Sequence, residues 1–496
     1  MKKTSFAYAL VFALTLFASC QKQSTTTETP KPVAVATTGV ITPTDIPAGY
    51  GYPGDRAQIQ AWADQWAIAN ITQHTWDMWA GMTADSGQTD PDGSKLPYWE
   101  TWCGTADVFG GNCGQGKTLA RPGRPFRVPS QLTHIARQKG LLSSAPPDTQ
   151  VVSFNKFNPS MAQYLNAQHA GPGTAGPYNY TSSSSLIALN NAWPSATPTV
   201  ARKIEEAPYQ PTTPGAPGFA GIETKPVIFL VKATGLTPMP LWQGPSGSTN
   251  PTAPTPNTWT TCVLLDPNST GGADVAPIPA TPQQIAQAVT MPYACDKTKY
   301  LYAPLATIYS FKMNAAEAAS WNTVQQGVGG SGGTAAAGDY GVLGGMHVNS
   351  KEIIDWTWQT FYWQPGPDTP NGFPGSKAGM TANVKGAWRN YASCSAYNQT
   401  KGNASTEMVV CFNPFLETAV SPTSIPDGLQ SNCVSCHGVA TAAGTSPGNG
   451  PPLTFLPYPP DYKNPISFGE GSIPIDPRFN GFTRTDFSWA IPSNAK

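Results

Sequence analysis

The chain has 496 residues, of which only 12% are charged, and its formal net charge is zero at neutral pH. The charged share is about half that of an average globular protein, and there is no basic run, which argues against nucleic acid as a partner. A hydrophobic share of 40% is enough for one large core or two smaller ones. The 51 prolines and 48 glycines predict long ordered loops between short regular elements.

The first residues have the pattern of an export signal. Residues 1–3 give a positive start, and residues 6–17 form an apolar run that is too short to cross a bilayer. The run ends in Phe17-Ala18-Ser19-Cys20, which resembles a bacterial lipoprotein cleavage box with Cys20 as the acylated residue. Residues 1–19 are therefore predicted to be a lipoprotein signal peptide, and an ordinary secretory signal is the alternative.

The residues after the cleavage box predict how the mature chain is attached to a membrane. Gln21 stands where an aspartate would usually mark retention in the inner membrane. The resemblance therefore implies an outer-membrane lipoprotein, facing either the periplasm or the cell surface. Residues 20–49 are predicted to consist of the acylated Cys20 and a disordered tether. The cleavage box predicts the acylation, and the richness of the following residues in Thr, Pro and Val predicts the tether. No later segment is apolar enough to span a bilayer, so the lipid is the expected membrane contact.

The predicted body covers residues 50–392 and begins with helices. Apolar residues between positions 55 and 82 recur at a roughly helical spacing that slips once, which predicts one or two helices with an aromatic face. Residues 96–102 alternate as a strand does. Residues 122–195 are predicted to be mostly loop, with one helix at 159–168.

Strands dominate the rest of the body. Short elements, mostly strands, are predicted at residues 225–233, 258–265, 300–313 and 384–391. Residues 340–363 predict two aromatic-rich strands with a turn near Asn349 and Ser350. The predicted fold class is therefore α+β, with a β-rich body, long ordered loops and peripheral helices.

The motif Cys433-Val434-Ser435-Cys436-His437 has the spacing of a c-type haem attachment site. On one helical turn, Cys433 and Cys436 lie on the same face and can each add to one haem vinyl group, and His437 then supplies the proximal iron ligand. The motif predicts one covalent haem c. A redox pair of cysteines and a chance occurrence in a structural loop are the alternatives. A zinc site fits less well, because no second cysteine pair lies nearby.

The other cysteines predict disulfides. Six of the nine remain after Cys20 is assigned to lipid and two cysteines to haem. An even remainder in an exported chain predicts three bonds, although six cysteines allow fifteen pairings. Pairing of sequence neighbours is the simplest expectation, which gives Cys103–Cys113, Cys262–Cys295 and Cys394–Cys411.

Residues 393–496 are predicted to be a haem c-binding segment that packs on the body. After His437 there is no methionine or histidine, and prolines between positions 451 and 460 interrupt the long helix of a small cytochrome c. The sixth iron ligand must then come from upstream or be an unusual residue such as Lys463. The upstream candidates are His74, His347, Met346, Met380 and Met408.

His347 is the preferred distal ligand, because it lies in an apolar, strand-like stretch near a tryptophan cluster. The cluster consists of Trp356, Trp358 and Trp363, which could line the haem face or an electron path. A hydrogen-bonded core histidine and ordinary core tryptophans are the alternative readings.

Several segments resemble those of large bacterial monohaem proteins of the cytochrome c family, a group of unsettled activity. They are Lys225-Pro226-Val227-Ile228, Gly345-Met346-His347-Val348, Trp356-Thr357-Trp358-Gln359-Thr360-Phe361, Lys385-Gly386-Ala387-Trp388, the single C-x-x-C-H motif and Asp486-Phe487-Ser488-Trp489. The resemblance implies an exported haem protein and does not supply a substrate.

The sequence favours electron transfer by a lipid-tethered monohaem c-type cytochrome in the periplasm or at the outer membrane. Its redox partner protein is unknown. Two other hypotheses stay open: a haem enzyme with an open iron, peroxidase- or oxygenase-like, and a protein that binds a small molecule or partner and carries a redox haem. No acid–base constellation can be assembled from spacing, so no catalytic residue is predicted.

Overall fold

The computed structural model describes residues 40–113, 116–120, 122–127, 152–171, 174–192, 219–251, 254–327, 332–368, 374–418, 432–442, 476, 479, 482–488 and 490–495. All of them belong to one compact unit, Thr38–Lys496. The predicted signal peptide, the acylation site Cys20, most of the tether and the possible ligand Lys463 lie outside the described residues.

The helices are short, as the many prolines and glycines predict. The α-helices are Arg56–Gln65, Ile68–Thr83, Tyr98–Thr101, Thr105–Phe109, Pro159–Asn166, Ser183–Ala192, Pro282–Ala286, Ala315–Gly327, Cys433–His437 and Ala490–Asn494. The 3₁₀ helices are Pro245–Gly247, Pro256–Thr258, Lys297–Lys299, Leu305–Thr307 and Gly386–Asn390. None of the described helices is both long and apolar enough to cross a membrane.

The described strands outnumber the described helices. They are β1 Asp85–Thr89, β2 Lys95–Pro97, β3 Cys103–Gly104, β4 Val152–Ser153, β5 Lys156–Phe157, β6 Gln168–Gly171, β7 Thr174–Asn179, β8 Ile222–Val231, β9 Thr237–Pro240, β10 Cys262–Asp266, β11 Ile278–Pro279, β12 Tyr300–Pro304, β13 Ser310–Lys312, β14 Tyr340–Ser350, β15 Thr357–Trp363, β16 Tyr391–Ser395, β17 Thr441–Ala442 and β18 Thr483–Arg484. The fold is thus α+β and mostly β, as predicted.

Eight of the described strands form a central antiparallel sheet in the order β16-β15-β14-β8-β5-β3, with β13 beside β14 and β4 beside β8. Every residue of β8 is buried, and β14 is buried along nearly all of its length. Residues 226–231 of β8 form a continuous apolar run, as expected of a strand covered on both faces, and this run makes β8 recognisable in the sequence.

The two faces of this sheet are covered by different parts of the chain. On one face, the helix Ile68–Thr83 packs Trp79 against Phe361 of β15, with ring centroids 4.0 Å apart. Side chains alternate between the faces of a strand. Trp358 and Thr360 of β15 therefore belong to the opposite face, and Trp358 meets the helix Cys433–His437 there.

A smaller sheet has the order β11-β12-β10-β9 and a separate cluster of buried residues around Cys262, Leu264 and Tyr300. The disulfide Cys262–Cys295 closes it at one end. The bonds Cys103–Cys113 and Cys394–Cys411 are present as well. All three predicted disulfides are confirmed, with the pairing of sequence neighbours.

Several element predictions need correction. Residues 96–102 are not one strand: the chain leaves β2 at Pro97 and turns into the helix Tyr98–Thr101, because Glu100 is drawn into a buried ion pair with Arg124. The stretch 300–313 is divided by the 3₁₀ helix Leu305–Thr307, which begins just after Pro304. Asn349 and Ser350 belong to β14, and the turn comes later, at residues 351–356.

Two of the longer helices were not predicted. The helix Ser183–Ala192 lies in a stretch that was predicted to be mostly loop. Its run of serines looks like a loop, but Ser182 accepts a hydrogen bond from the amide of Ser185, as a residue preceding a helix does. The helix Ala315–Gly327 begins after Asn314, whose side chain accepts from the amides of Ala316 and Glu317.

Candidate functional site

The C-x-x-C-H motif forms a short helix, Cys433–His437, whose start is fixed by Asn432. The side-chain oxygen of Asn432 accepts from the amide of Ser435 at 2.9 Å, which caps the helix. The side-chain nitrogen of Asn432 donates to the carbonyl oxygens of Gln399 and Val409. One buried amide therefore caps the helix and ties it to the body.

Cys433 is buried and Cys436 is partly buried, and neither sulfur is part of a disulfide. Residues three apart share one face of a helix, so both thiols lie on the same side. Burial, together with the nearby Glu417 carboxylate, raises the pKa of both thiols, that of Cys436 to about 12. Both sulfurs are therefore protonated at neutral pH.

His437 is held as a neutral imidazole of one tautomer. Its Nδ1 lies 2.9 Å from the carbonyl oxygen of Phe487, and because a carbonyl only accepts, Nδ1 carries the proton. Burial lowers the pKa of His437 to about 3, and the nearby Lys225 and His347 add to that effect, although the Phe487 bond opposes it. The lone pair is thus on Nε2, the state that a metal ligand requires.

The sheet face beneath this helix carries polar side chains in one row. Lys225 of β8, His347 of β14 and Thr360 of β15 are direct neighbours across the strands and therefore share a face. His347 Nε2 lies 2.6 Å from Glu417 Oε1, which is an ion-pair distance, although the angle is not that of a hydrogen bond. Burial and Arg127 lower the pKa of Lys225 to about 7.

Trp358 joins the sheet face to the helix. Its ring centroid lies 4.3 Å from that of His437. The indole nitrogen donates to the carbonyl oxygen of Asp355 at 2.6 Å, so the ring is held in place. Only 2% of Trp358 is exposed, and it covers one side of the imidazole against water.

The chain returns to the site near its C-terminal end. β17 directly follows the motif and pairs with β18, and the next residues reach His437 through Phe487. Asp486 has φ 48° and Phe487 has φ 60°, the left-handed region that is uncommon for residues other than glycine. The Asp486 carboxylate accepts from Lys351 Nζ at 2.6 Å and from the indole nitrogen of Trp356 at 3.2 Å.

The donor set fits a covalent haem c. Two thiols on one helical face, next to a neutral imidazole whose Nδ1–H is bonded to a carbonyl, are the groups that the cofactor needs. Within the described part of the chain, no group of three or more His, Cys, Asp or Glu side chains is arranged to hold a bare metal ion. A haem iron does not require such a group, because the porphyrin supplies four of its ligands.

The candidates for the sixth ligand are dispersed. His347 lies on the sheet face that carries Trp358, which packs against His437. His74 lies on the helix that covers the opposite face, where its ring nitrogens contact Tyr397 OH at 2.7 Å and Glu352 Oε1 at 3.1 Å. The structure thus gives His74 the role of a hydrogen-bonded core histidine and does not bring it to His437.

The methionine candidates are placed less favourably than His347. Met346 is fully buried and, as the residue before His347 in β14, belongs to the opposite face. Met380 packs against the main core. Met408 is half-buried and precedes Val409, whose carbonyl accepts from Asn432, so its backbone is near the motif helix.

Several residues of the site were not predicted from the sequence. They are Lys225, Lys351, Glu417 and the Phe487 carbonyl. Lys351 stands between Ser350 and Glu352 in a polar stretch that predicts a turn, so the sequence carries no signal of its burial. A backbone carbonyl gives no signal either, because every residue has one.

No protein-family model matches this sequence, and comparison with curated proteins and with solved structures gave no match. The function therefore has to be argued from the chemistry of the site.

Proposed function

We propose that the chain is a monohaem c-type cytochrome that carries single electrons in the periplasm or at the outer membrane, anchored by a lipid on Cys20. One observation carries the proposal: the C-x-x-C-H helix presents both thiols beside a neutral His437 whose Nδ1 is bonded to the Phe487 carbonyl. The resemblance to large monohaem proteins of the cytochrome c family supports it.

The residues of the site have distinct roles in this proposal. Cys433 and Cys436 hold the haem through two thioether bonds, and His437 Nε2 is the proximal ligand. When bound, the haem supplies a one-electron couple. Trp358 excludes water from one side of His437, and the Phe487 carbonyl prevents the ring from rotating. The redox partner protein is not identified.

His347 is the proposed distal ligand. It shares a sheet face with Trp358, against which His437 packs. The Glu417 carboxylate lies at His347 Nε2, so ligation through that nitrogen requires Glu417 to move, whereas ligation through Nδ1 does not. Two imidazole ligands favour a lower reduction potential than a histidine–methionine pair.

A haem enzyme with an open iron is the second candidate. The observation in its favour is Lys225, a buried amine beside the motif whose pKa is lowered to about 7. Such a group can give or take a proton near neutral pH, which a carrier of electrons alone does not need. Carbon monoxide binding by the reduced wild type would favour this candidate over the carrier.

Covalent attachment can be tested with two pairs of cysteine variants. Wild-type protein from a host with haem-maturation machinery is expected to keep haem colour in a denaturing gel, and the Cys433→Ala, Cys436→Ala variant is expected to lose it. The matched control is Cys262→Ala, Cys295→Ala, which removes a disulfide of the smaller sheet and should keep the colour. Colour retained by the first variant would overturn the proposal.

A further inference from the structure

Asp486 and Lys351 form a buried ion pair next to the candidate haem site. Each is about 1% exposed, and Lys351 Nζ lies 2.6 Å from Asp486 Oδ1. The indole nitrogen of Trp356 donates to the same oxygen at 3.2 Å, and Lys351 Nζ also donates to the carbonyl of Ile354. Removing two charges from water carries a large desolvation penalty, so a buried pair of this kind invites a functional explanation.

The backbone on both sides of the pair is strained. Asp486 and Phe487 have consecutive left-handed conformations, and Trp356 has φ 63°. Such conformations are strained for bulky residues and persist only where the surroundings hold them. The amide of Ser488 closes this turn by donating to the carbonyl of Thr485 at 3.0 Å, and the contacts with Lys351 and Trp356 fix the side chain of its first residue, Asp486.

The strained turn has one direct consequence for His437. It aims the carbonyl of Phe487 at Nδ1 of His437, at 2.9 Å. The rest of the turn is held too: Arg484 lies over the Phe487 ring, 5.0 Å from its centroid, and the hydroxyl of Ser488 donates to Glu223 at 3.2 Å. A chain relaxed out of the left-handed region would point this carbonyl in another direction.

We propose that Asp486, held by Lys351 and Trp356, is a positioning residue that tunes the haem by keeping the Phe487 carbonyl on the Nδ1 proton of His437. The inference rests on the proposed function. A strong acceptor at Nδ1 makes the imidazole more basic, and a more basic ligand stabilises oxidised over reduced iron. The buried pair therefore holds the reduction potential down.

A direct electrostatic effect of Lys351 on the iron predicts the opposite change in reduction potential for one variant, Lys351→Met. If the charge of Lys351 acted directly on the iron, Lys351→Met would remove a cation and lower the reduction potential. If the pair acts through the turn, Lys351→Met releases Asp486, weakens the Phe487 bond and raises the potential. The sign of the change separates the two explanations.

The experiment measures reduction potentials of haem-loaded, full-chain protein by spectroelectrochemistry. The variants are Lys351→Met, Asp486→Asn, and the double variant Lys351→Met, Asp486→Ala, which leaves no unpaired buried charge. The control is Asp339→Asn, which alters the buried carboxylate of the Lys232–Asp339 pair away from the motif. Nuclear magnetic resonance of the reduced protein adds a second readout, the exchange rate of the His437 Nδ1 proton.

In Lys351→Met and in the double variant, we expect the equilibrium between oxidised and reduced haem to shift about tenfold toward the reduced form. For one electron this shift raises the reduction potential by about 59 mV. The Nδ1 proton should exchange faster in both. The reduction potential of Asp486→Asn should change less, because an asparagine oxygen can still accept a hydrogen bond from Trp356 and asparagine tolerates a positive φ. Asp339→Asn should have the reduction potential and the Nδ1 proton exchange rate of the wild type.

One kind of result would overturn the positioning role of Asp486, and another would overturn the proposed function. A lowered potential in Lys351→Met, or an unchanged potential and unchanged proton exchange in the double variant, would overturn the positioning role while the haem stays attached. If Lys351→Met does not fold, the double variant decides alone. A wild type without covalent haem would overturn the proposed function, and this inference with it.

Discussion

At the scale of single residues, the row of side chains Lys225, His347 and Thr360 would decide what can reach a haem iron held by His437. His347 is the member with a ligating ring, and it is only 13% exposed. Its partner Glu417 is held in turn, because the amide of Asn413 donates to the other carboxylate oxygen. The histidine therefore has few accessible positions, which is an advantage for a ligand that must stay bound in both oxidation states.

Replacing His347 with alanine is expected to open the iron. The wild type should show a low-spin six-coordinate spectrum without the weak near-infrared band of a methionine ligand. His347→Ala should become high-spin in the oxidised state and bind carbon monoxide in the reduced state, with covalent attachment unchanged. The control is Met408→Leu, which removes the soft sulfur nearest the motif in sequence and should leave the spectrum unaltered. An unchanged spectrum in His347→Ala would exclude it as the ligand.

How much of the site is readable from sequence follows from the kind of interaction. Cys433, Cys436 and His437 could be proposed from the sequence because covalent haem attachment would demand these residue types at this spacing. His347 could be proposed only as one of several candidates, since ligation depends on which strand face it occupies. The Phe487 carbonyl could not be predicted, because its direction depends on a left-handed turn at Asp486 that no sequence pattern announces.

At the scale of elements, a buried charge network joins parts of the chain that are far apart in sequence. Glu100, in the helix Tyr98–Thr101, lies 3.2 Å from Arg124 Nε and 3.1 Å from Lys156 Nζ of β5. Arg124 Nη1 lies 3.1 Å from carboxylates of Asp90 and Glu317, the latter in the helix Ala315–Gly327. The network thus positions two helices against an edge of the central sheet.

Glu100→Gln is expected to lower the free energy of unfolding by about 3–5 kcal/mol at pH 7, because it leaves Arg124 and Lys156 without their shared buried carboxylate. Chemical denaturation measures the change. The matched control is Asp85→Asn, which breaks the exposed Asp85–Lys95 pair and should lower the free energy of unfolding far less, because water screens the two charges. Equal losses in the two variants would contradict a stabilising role for the network.

The same variant predicts a pH dependence. Burial raises the pKa of Glu100, but Arg124 and Lys156 outweigh burial and hold it below the ordinary value of 4.5. A carboxyl whose pKa is lower in the folded state stabilises the fold above the unfolded pKa, and that contribution is lost as the pH falls through the folded pKa. The stability difference between wild type and Glu100→Gln should therefore be constant near neutrality and shrink below pH 4.5. A difference that grows on acidification would show that the assigned direction is wrong.

Element prediction succeeded where burial gives a periodic or continuous apolar signal. The helices Arg56–Gln65 and Ile68–Thr83 and the strand β8 are confirmed for this reason. It failed at Tyr98–Thr101, where an alternating pattern becomes a helical turn because Glu100 must reach two buried cations. It also failed at Ser183–Ala192, where local serine chemistry conceals a helix.

At the scale of the whole molecule, the motif helix and the body share one structural unit. β16, Tyr391–Ser395, crosses the predicted boundary at residue 392 and is an edge strand of the central sheet. The disulfide Cys394–Cys411 and the Asn432 bonds to Gln399 and Val409 then lead from this strand to the motif. A haem on this helix would lie against the sheet, so its potential would depend on residues of the body such as Lys351.

The other end of the chain determines how far this unit can lie from a membrane. Ile41 is hydrogen-bonded to Leu119 through both backbone groups, and it lies about 20 positions after Cys20 in the sequence. At ~3.3–3.6 Å per residue, a fully extended stretch of that length reaches at most ~70 Å. A lipid on Cys20 would therefore hold Ile41 within that distance of the bilayer surface.

Intact mass and fatty-acid labelling are the measurements for this anchor. Wild-type protein is expected to begin at Cys20 with an acyl mass and to fractionate with the outer membrane, because the apolar run ends in a small-small-cysteine box. Cys20→Ala should lose both the label and the membrane association, since no described helix can replace the lipid as a membrane span. Cys433→Ala, Cys436→Ala is the control: it should lose haem and keep the lipid, because the two modifications use different cysteines. A mature N-terminus beyond residue 20 without acyl mass would contradict lipidation and favour an ordinary secretory signal.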